Sequence, residues 1–233
     1  MADIKVMSAG AVQAMVTAIG GEFAKAAGHK LDLNFATVGA LRERLAAGEQ
    51  TDIAIMSVAA IDALEHAGRL VAGSRQDLGR TRTGVTVRAG APLPDISTID
   101  AFKRAMLSAR SVSYSDPKGG GSSGTFFAGL LEQLGIADAV NNKAVLKKRG
   151  YEVAEAVARG EAEIGTTFIS EILTVQGAVV VGPLPAGLEN ANTYSGAILA
   201  SSRVGDTAAA FLRALSDPAT RDRWAAAGLE PAF

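Results

Sequence analysis

The stretch Ile4–Phe35, IKVMSAGAVQAMVTAIGGEFAKAAGHKLDLNF, decides the fold class. Ile4 and Val6 read as a strand. Val12, Met15, Val16, Ile19 and Phe23 then recur at spacings of three and four, which puts one apolar face on a helix over about residues 11–27. Leu31, Leu33 and Phe35 alternate as a second strand. Working outward, Leu41 and Leu45 mark a short helix, Ile53 and Ile55 a third strand, and Ile61 and Leu64 another helix. This β-α-β-α-β-α order predicts an α/β lobe, a mostly parallel sheet flanked by helices.

Thr83–Arg88 alternates as a further strand, and the Gly/Pro-marked loop after it opens a second α/β series. That series predicts helices over 98–109, from about 125 to 134, and over 153–159. Its strands are expected at 111–115, 164–166 and 178–181. After Pro183 and Pro185, Gly196–Ala200 reads as a strand, and two closing helices carry Phe211, Leu212, Leu215 and Trp224.

Composition narrows the function classes. Lys and Arg total 23 against 24 Asp and Glu, so there is no basic excess for a nucleic-acid partner. No apolar run approaches the roughly 20 residues of a membrane span, so no membrane insertion is expected. Twelve aromatics (8 Phe, 3 Tyr, 1 Trp) leave few rings to stack bases or sugars. With no cysteine, disulfides, thiolate metal sites and a Cys nucleophile are all excluded. Met1-Ala2 has neither the charged nor the apolar region of an export signal. The protein is therefore either cytoplasmic or has had such a segment removed.

Small polar residues gather where strands hand over to helices: Ser8-Ala9-Gly10, Thr37-Val38-Gly39, Ser57-Val58, Gly119–Thr125 and Gly165-Thr166-Thr167. In α/β sheets ligands bind at these carboxyl ends, and each helix start offers free N–H donors and a positive dipole end, an anion site without Lys or Arg. The bland alternative is that each Ser or Thr is a helix cap. Gly119, Gly121 and Gly124 spell G-x-G-x-x-G, but no acid ends a strand about 20 residues later, where Leu146-Lys147-Lys148-Arg149 stands instead. No Gly-Lys-Ser/Thr ending of a phosphate loop is present either. A small anion fits better than a nucleotide, and no cofactor is expected.

Catalytic constellations are thin. His29 and His66 lie far apart and outside the junctions, which leaves a Ser-His-Asp triad or a His metal site without support; no metal is expected. Glu152 with Glu155, Glu161 with Glu163, and the run Lys147-Lys148-Arg149 read as solvated faces.

The chain resembles the periplasmic substrate-binding proteins of the molybdate type, within the type II solute-binding class that serves ABC importers. The resemblance rests on Ile4–Gly10, Phe35–Leu41, Gly48–Ile55, Asp62-Ala63-Leu64, Gly68–Val71, Gly84–Val87, Ser113–Pro117, Ala210-Phe211-Leu212 and Gly228-Leu229. It implies a two-lobed fold with the ligand cleft between the lobes. Lobe one would be residues 1–82 and 196–233, lobe two 83–195, with a hinge near 82–87 and 194–200. It also implies a periplasmic location, a monomer, an ABC importer permease as partner, and a small anionic ligand. The ligand residues implied are Ser8, Gly10, Thr37, Val38, Ser57, Gly121, Ser122, Ser123, Thr166 and Thr167.

Two departures bear on the ligand. Val38 stands where molybdate binders typically carry a second Ser, and Gly119–Gly121 with Ser122-Ser123 is richer in glycine and hydroxyls than their Pro-Ala pattern. An organic carboxylate is therefore expected rather than molybdate. The Gly-Gly-Ser-Ser-Gly version is similar to a subgroup that includes aconitate isomerase, which keeps an isomerase of a small di- or tricarboxylate as the alternative. The base for that reaction stays open among Tyr114, Lys118, Tyr151 and Glu171. An effector-sensing domain is disfavoured because no basic segment or helix-turn-helix precedes Ile4.

Overall fold

The computed structural model describes residues 2–233; Met1, part of the opening dipeptide, lies outside them. The elements in chain order are β1 (Asp3–Ala9), α1 (Gln13–Ala27), β2 (Lys30–Ala36), α2 (Val38–Ala46), β3 (Ile53–Ser57), α3 (Val58–His66), β4 (Gln76–Arg88), α4 (Ile99–Ser108), β5 (Val112–Ser115) and α5 (Ser122–Gln133). They continue as α6 (Ala137–Asn141), β6 (Ala144–Lys147), α7 (Gly150–Ala158), β7 (Ile164–Phe168), α8 (Ile169–Ile172), β8 (Ala178–Pro183), β9 (Ala191–Ile198), α9 (Gly205–Leu215), α10 (Arg221–Ala226) and β10 (Glu230–Pro231). The chain forms two compact units. Unit 1 runs up to Arg80 and resumes as Asn192–Phe233, and unit 2 is Thr81–Ala191.

In unit 1, β1 lies between β2 and β3 and is parallel to both, with Ser8 opposite Phe35 on one side and Ile55 on the other. β3 pairs antiparallel with β9, Ile55 opposite Gly196. The apolar stripe read from sequence is the buried face of α1: Met15, Val16 and Ile19 are at most 4% exposed. That face packs on α9, where Phe211, Leu212 and Leu215 are buried in turn. Burying each such side chain stabilises the fold by about 1.5–3 kcal/mol. Trp224 of α10 closes the unit, fully buried, its indole N–H donating to the Leu215 carbonyl at 3.0 Å.

In unit 2, β5 is parallel to β6 and β7, with Tyr114 opposite Leu146 and Thr166. β4 runs antiparallel to both β7 and β8. The core is built from Phe102, Met106, Val112, Phe127, Leu131 and Ile164. α4 shows why its segment is helical: the Thr98 hydroxyl caps the Ala101 N–H at 3.1 Å, and Phe102, Ala105 and Met106 form one buried face. Among the described residues no helix is long and apolar enough to cross a membrane.

Several expected elements shift. β4 begins at Gln76 rather than Thr83, and β9 at Ala191 rather than Gly196, because polar residues such as Thr81 and Ser195 are buried within them and hide the alternation. Both strands pair antiparallel, so each sheet is mixed where a mostly parallel one was expected. β6 and α8 were not anticipated. β6 pairs only with β5 and leaves Leu146 46% exposed, and α8 is a single turn, too short for a helical period.

Candidate functional site

Parallel register brings the unit 1 junctions together. Ala9 pairs with Ala36 and Ser8 with Ile55, so Gly10 and Thr37, which follow β1 and β2, and Ser57, which ends β3, stand at one carboxyl end of three adjacent strands. Ser8 is fully buried, and its hydroxyl donates to the Ala9 carbonyl at 3.3 Å. The Thr37 hydroxyl caps α2 by accepting from the Ala40 N–H at 3.2 Å. Val38, the first residue of α2, is 9% exposed. Ser57 precedes α3 without capping it and is half-buried.

Unit 2 gathers Ser115, Thr166, Thr167 and the start of α5. Gly121 precedes α5 with no side chain to cap it, and the first intrahelical amide bond is that of Thr125 to the Gly121 carbonyl. The N–H groups of Ser122, Ser123 and Gly124 therefore come before the helix ladder. A Cβ on Gly124 would overlap the Ser115 carbonyl, so only glycine lets the first turn of α5 rest on the end of β5. This packing, not a dinucleotide, accounts for the last glycine of the G-x-G-x-x-G pattern.

Behind that turn sits a buried acid. Ser123 Oγ lies 3.5 Å from Thr167 Oγ1, and Thr167 donates at 2.8 Å to Glu171 Oε2. Thr167 is fully buried, Ser123 is 4% exposed and Glu171 8%. The Glu171 carboxylate also accepts from the Phe168 and Gly150 N–H groups. The Phe168 contact is the helix-cap geometry of a Glu in the first turn of α8. A Cβ on Gly150 would overlap both Glu171 Oε2 and Thr167 Oγ1. Burial raises the Glu171 carboxyl to about 7, against the three hydrogen bonds that favour its charge. In the same unit, the hydroxyls of Ser115, Thr166 and Ser170 are buried without a hydrogen-bond partner.

The other candidate bases are used elsewhere. Tyr114 is a core residue, its hydroxyl donating to Asn141 Oδ1 at 2.5 Å and its ring edge-on to Phe127; burial, with the Asp116 charge adding, pushes its phenol up. The Tyr151 hydroxyl accepts from Arg149 at 3.3 Å. Lys118 lies on an exposed 3-10 turn whose start Asp116 caps. The solvated-face reading of the charged segments agrees with their contacts: Glu161 takes both Lys147 and Arg159 at 2.7 Å, Glu155 pairs with Arg159, and Glu163 pairs with Arg110. His29 stacks near Phe23, and the His66 Nδ1 hydrogen-bonds the Asp62 carbonyl. Among the described residues no group of three or more His, Asp or Glu could hold a metal ion.

Sequence reasoning set Ser115 and Gly124 in a motif and a junction without giving them a site role, and it missed Gly150 and Ser170. A glycine that makes room for a residue far along the chain leaves no local signal. The arrangement as a whole offers hydroxyls and backbone N–H groups at strand ends and one buried acid, the chemistry of an anion site that works by hydrogen bonding.

The family profile described as bacterial extracellular solute-binding protein matches residues 4–230. Aconitate isomerase of a Pseudomonas species is 34% identical over 237 residues, covering 98% of this chain and 87% of that protein. Among solved structures, the periplasmic molybdate-binding protein of Azotobacter vinelandii superposes with a TM-score of 0.80 at 20% identity, over 97% of this chain and 98% of that one. A sulfate-binding protein of Mycobacterium tuberculosis gives 0.74 at 18% identity, over 100% and 88%. At these identities the two structures show a shared fold.

Proposed function

This chain belongs to the bacterial extracellular solute-binding protein family and has the type II periplasmic-binding fold, and on that premise we propose that it captures a small organic carboxylate in the periplasm for an ABC importer. The observation that carries the reading is the donor set of unit 2. Ser122, Ser123 and Gly124 present amides at the start of α5, beside buried hydroxyls, with no Lys or Arg among them. Such neutral donors hold a carboxylate through hydrogen bonds to its charged oxygens, each worth about 1.5–3 kcal/mol. In unit 1 the apolar Val38 beside Thr37 suits a ligand with a carbon skeleton better than a tetrahedral oxyanion. The 34% identical relative, named for a tricarboxylate, points the same way.

A thermal-shift panel of oxyanions and carboxylates tests this. A ligand at 100 times its Kd stabilises the native state by about 2.7 kcal/mol. Di- and tricarboxylates should raise Tm, and molybdate and tungstate should not. A molybdate shift at micromolar concentration reverses the ligand class.

One observation favours a second reading, an isomerase of the same carboxylates. Of the four candidate bases, Glu171 is the one buried beside the donor set, and burial raises its carboxyl to about 7. In a 1,3-proton shift, a base takes a proton from the methylene carbon next to the double bond. The double bond moves, and the proton returns at the other end of the three-carbon unit. Incubation with cis- and trans-aconitate, followed by chromatography, decides between the readings. Protein-dependent interconversion that Glu171→Gln abolishes makes the chain an enzyme.

A further inference from the structure

We propose that Glu171, Thr167 and Ser123 form a reversible donor relay through which capture of an anion takes up one proton. The inference rests on the carboxylate-capture reading and adds a positioning role for Glu171, which acts through Thr167 rather than on the ligand.

The geometry fixes how the relay turns. The carboxylate has three donors, and two are backbone N–H groups, of Phe168 and Gly150, which cannot reverse. The third, the Thr167 hydroxyl at 2.8 Å, is a rotor that can give or accept. Only Thr167 can turn from donor to acceptor, so the relay puts the proton on Oε2, the oxygen facing it. While Glu171 is ionised, Thr167 spends its hydrogen on the carboxylate and offers Ser123 only lone pairs. A Ser123 hydrogen then points back toward Thr167, away from an incoming anion. Once Glu171 is protonated, its O–H donates to Thr167, the Thr167 hydrogen turns toward Ser123, and the Ser123 hydrogen is free for the ligand. The same proton removes a buried negative charge behind the anion.

The surroundings leave Glu171 as the group that does this. α8 packs against α7, β7 and β8, and the Ser170 backbone N–H of α8 donates to the Thr81 hydroxyl oxygen of β4 at 3.4 Å. β7 and β8 carry no titratable side chain. On α7, Glu152 accepts from the Lys148 and Arg149 N–H groups, Glu155 pairs with Arg159, and Tyr151 accepts from Arg149. On β4, Arg82 is exposed where Thr81 and Thr83 on either side of it are buried. No charged side chain contributes to the raised Glu171 titration, whose first cause is burial. Gly150 is the enabling residue, since any side chain there would fill the space of the carboxyl and the Thr167 hydroxyl.

The test is calorimetric titration of the intact protein with trans-aconitate between pH 6.5 and 8.5, where the probe's carboxyls stay ionised. It is run at each pH in two buffers of different ionisation enthalpy. A one-proton linkage weakens affinity by about tenfold per pH unit above the Glu171 titration and gives buffer-dependent heats that report uptake approaching one proton. Glu171→Gln, whose amide donates permanently to Thr167, should lose the pH dependence and bind more than tenfold tighter than wild type at pH 8.5. Binding with a flat pH profile and no proton uptake overturns the relay alone. If neither trans-aconitate nor any other anion of the panel binds at any pH, the carboxylate reading falls and takes the relay with it. The wild-type heats decide the matter even if the variant folds poorly.

Discussion

The strand-to-helix junctions of the two units look alike in sequence and differ in how they spend their hydroxyls. In unit 1, Thr37 caps α2 and Ser8 turns to its neighbour's carbonyl, so both hydroxyls serve the local backbone. In unit 2, Gly121 starts α5 without a cap, three buried hydroxyls lack partners, and Thr167 leads to a buried acid. A Ser or Thr at a junction is a helix cap in one case and part of a binding device in the other. What separates the two is tertiary: whether another element brings a side-chain partner within reach of the hydroxyl, as Thr167 is for Ser123 and Glu171 for Thr167, whereas Ser8 is buried and still turns to its own backbone.

The largest effect should come from the close approach that unit 2 depends on. In Gly124→Ala the new Cβ would overlap the Ser115 backbone carbonyl, and neither partner is a side chain that can swing aside. We expect a loss of about 3 kcal/mol or more by chemical denaturation, the upper end of overpacking costs. Gly21→Ala, on α1 of unit 1 where nothing lies within 4 Å, should gain up to about 1 kcal/mol. Equal effects at the two sites would erase the contrast.

Next in size is the pH dependence of stability. Burial raises the Glu171 carboxyl to about 7 from 4.5, so the native state holds a proton that the unfolded chain has released between those values. Stability from this group is full below about 4.5, falls as pH rises, and is lost above about 7. Glu171→Gln should therefore gain on wild type across that window by up to about 3 kcal/mol, at 1.36 kcal/mol per pKa unit, and hold that gain at higher pH. Melting curves of both proteins from pH 4.5 to 8.5 measure it. A constant difference would mean that Glu171 titrates as an exposed carboxyl does.

The hydroxyls themselves should then separate by readout. Ser123→Ala is expected to weaken carboxylate binding by about 1.5–3 kcal/mol with under 1 kcal/mol lost in folding. Thr37→Ala should cost about 1 kcal/mol of folding through its lost cap, with a smaller loss in affinity. Calorimetry beside denaturation resolves both, and a reversed pattern would exchange the roles of the units.

These contrasts also mark what sequence reading reached. The order of strands and helices was legible because Val12, Met15, Val16 and Ile19, or Leu31, Leu33 and Phe35, repeat at the period their element requires. β6 and α8 were not legible: an exposed edge strand and a single turn carry too little period. Ser123 and Thr167 could be named because strand-to-helix junctions are local features. Glu171 could only stand beside Tyr114, Lys118 and Tyr151, since what distinguishes it is burial under α7 and the gap left by Gly150, twenty-one positions earlier. Chain positions that far apart have no common pattern until the fold brings them together.

The smallest expected effect asks whether unit 2 attracts anions by charge at all. Lys147-Lys148-Arg149 is the most basic run of the chain and leads directly into Gly150, so a charge-steering account would rank it above the hydroxyls. Two of its three charges are already engaged: Lys147 pairs with Glu161 at 2.7 Å, and the Arg149 guanidinium lies 5.9 Å above the Tyr151 ring. An exposed pair of this kind is worth about 0–1 kcal/mol, and at physiological salt the field of exposed charges is screened beyond about 8 Å. Lys147→Ala should therefore change folding stability by less than about 1 kcal/mol and leave the Kd for trans-aconitate within about twofold at 0.15 M salt, with the same result at 0.5 M. A tenfold loss of affinity that grows as salt is lowered would show that the basic run, rather than the Ser123 donors, governs capture, and the difference between the units would then be one of charge.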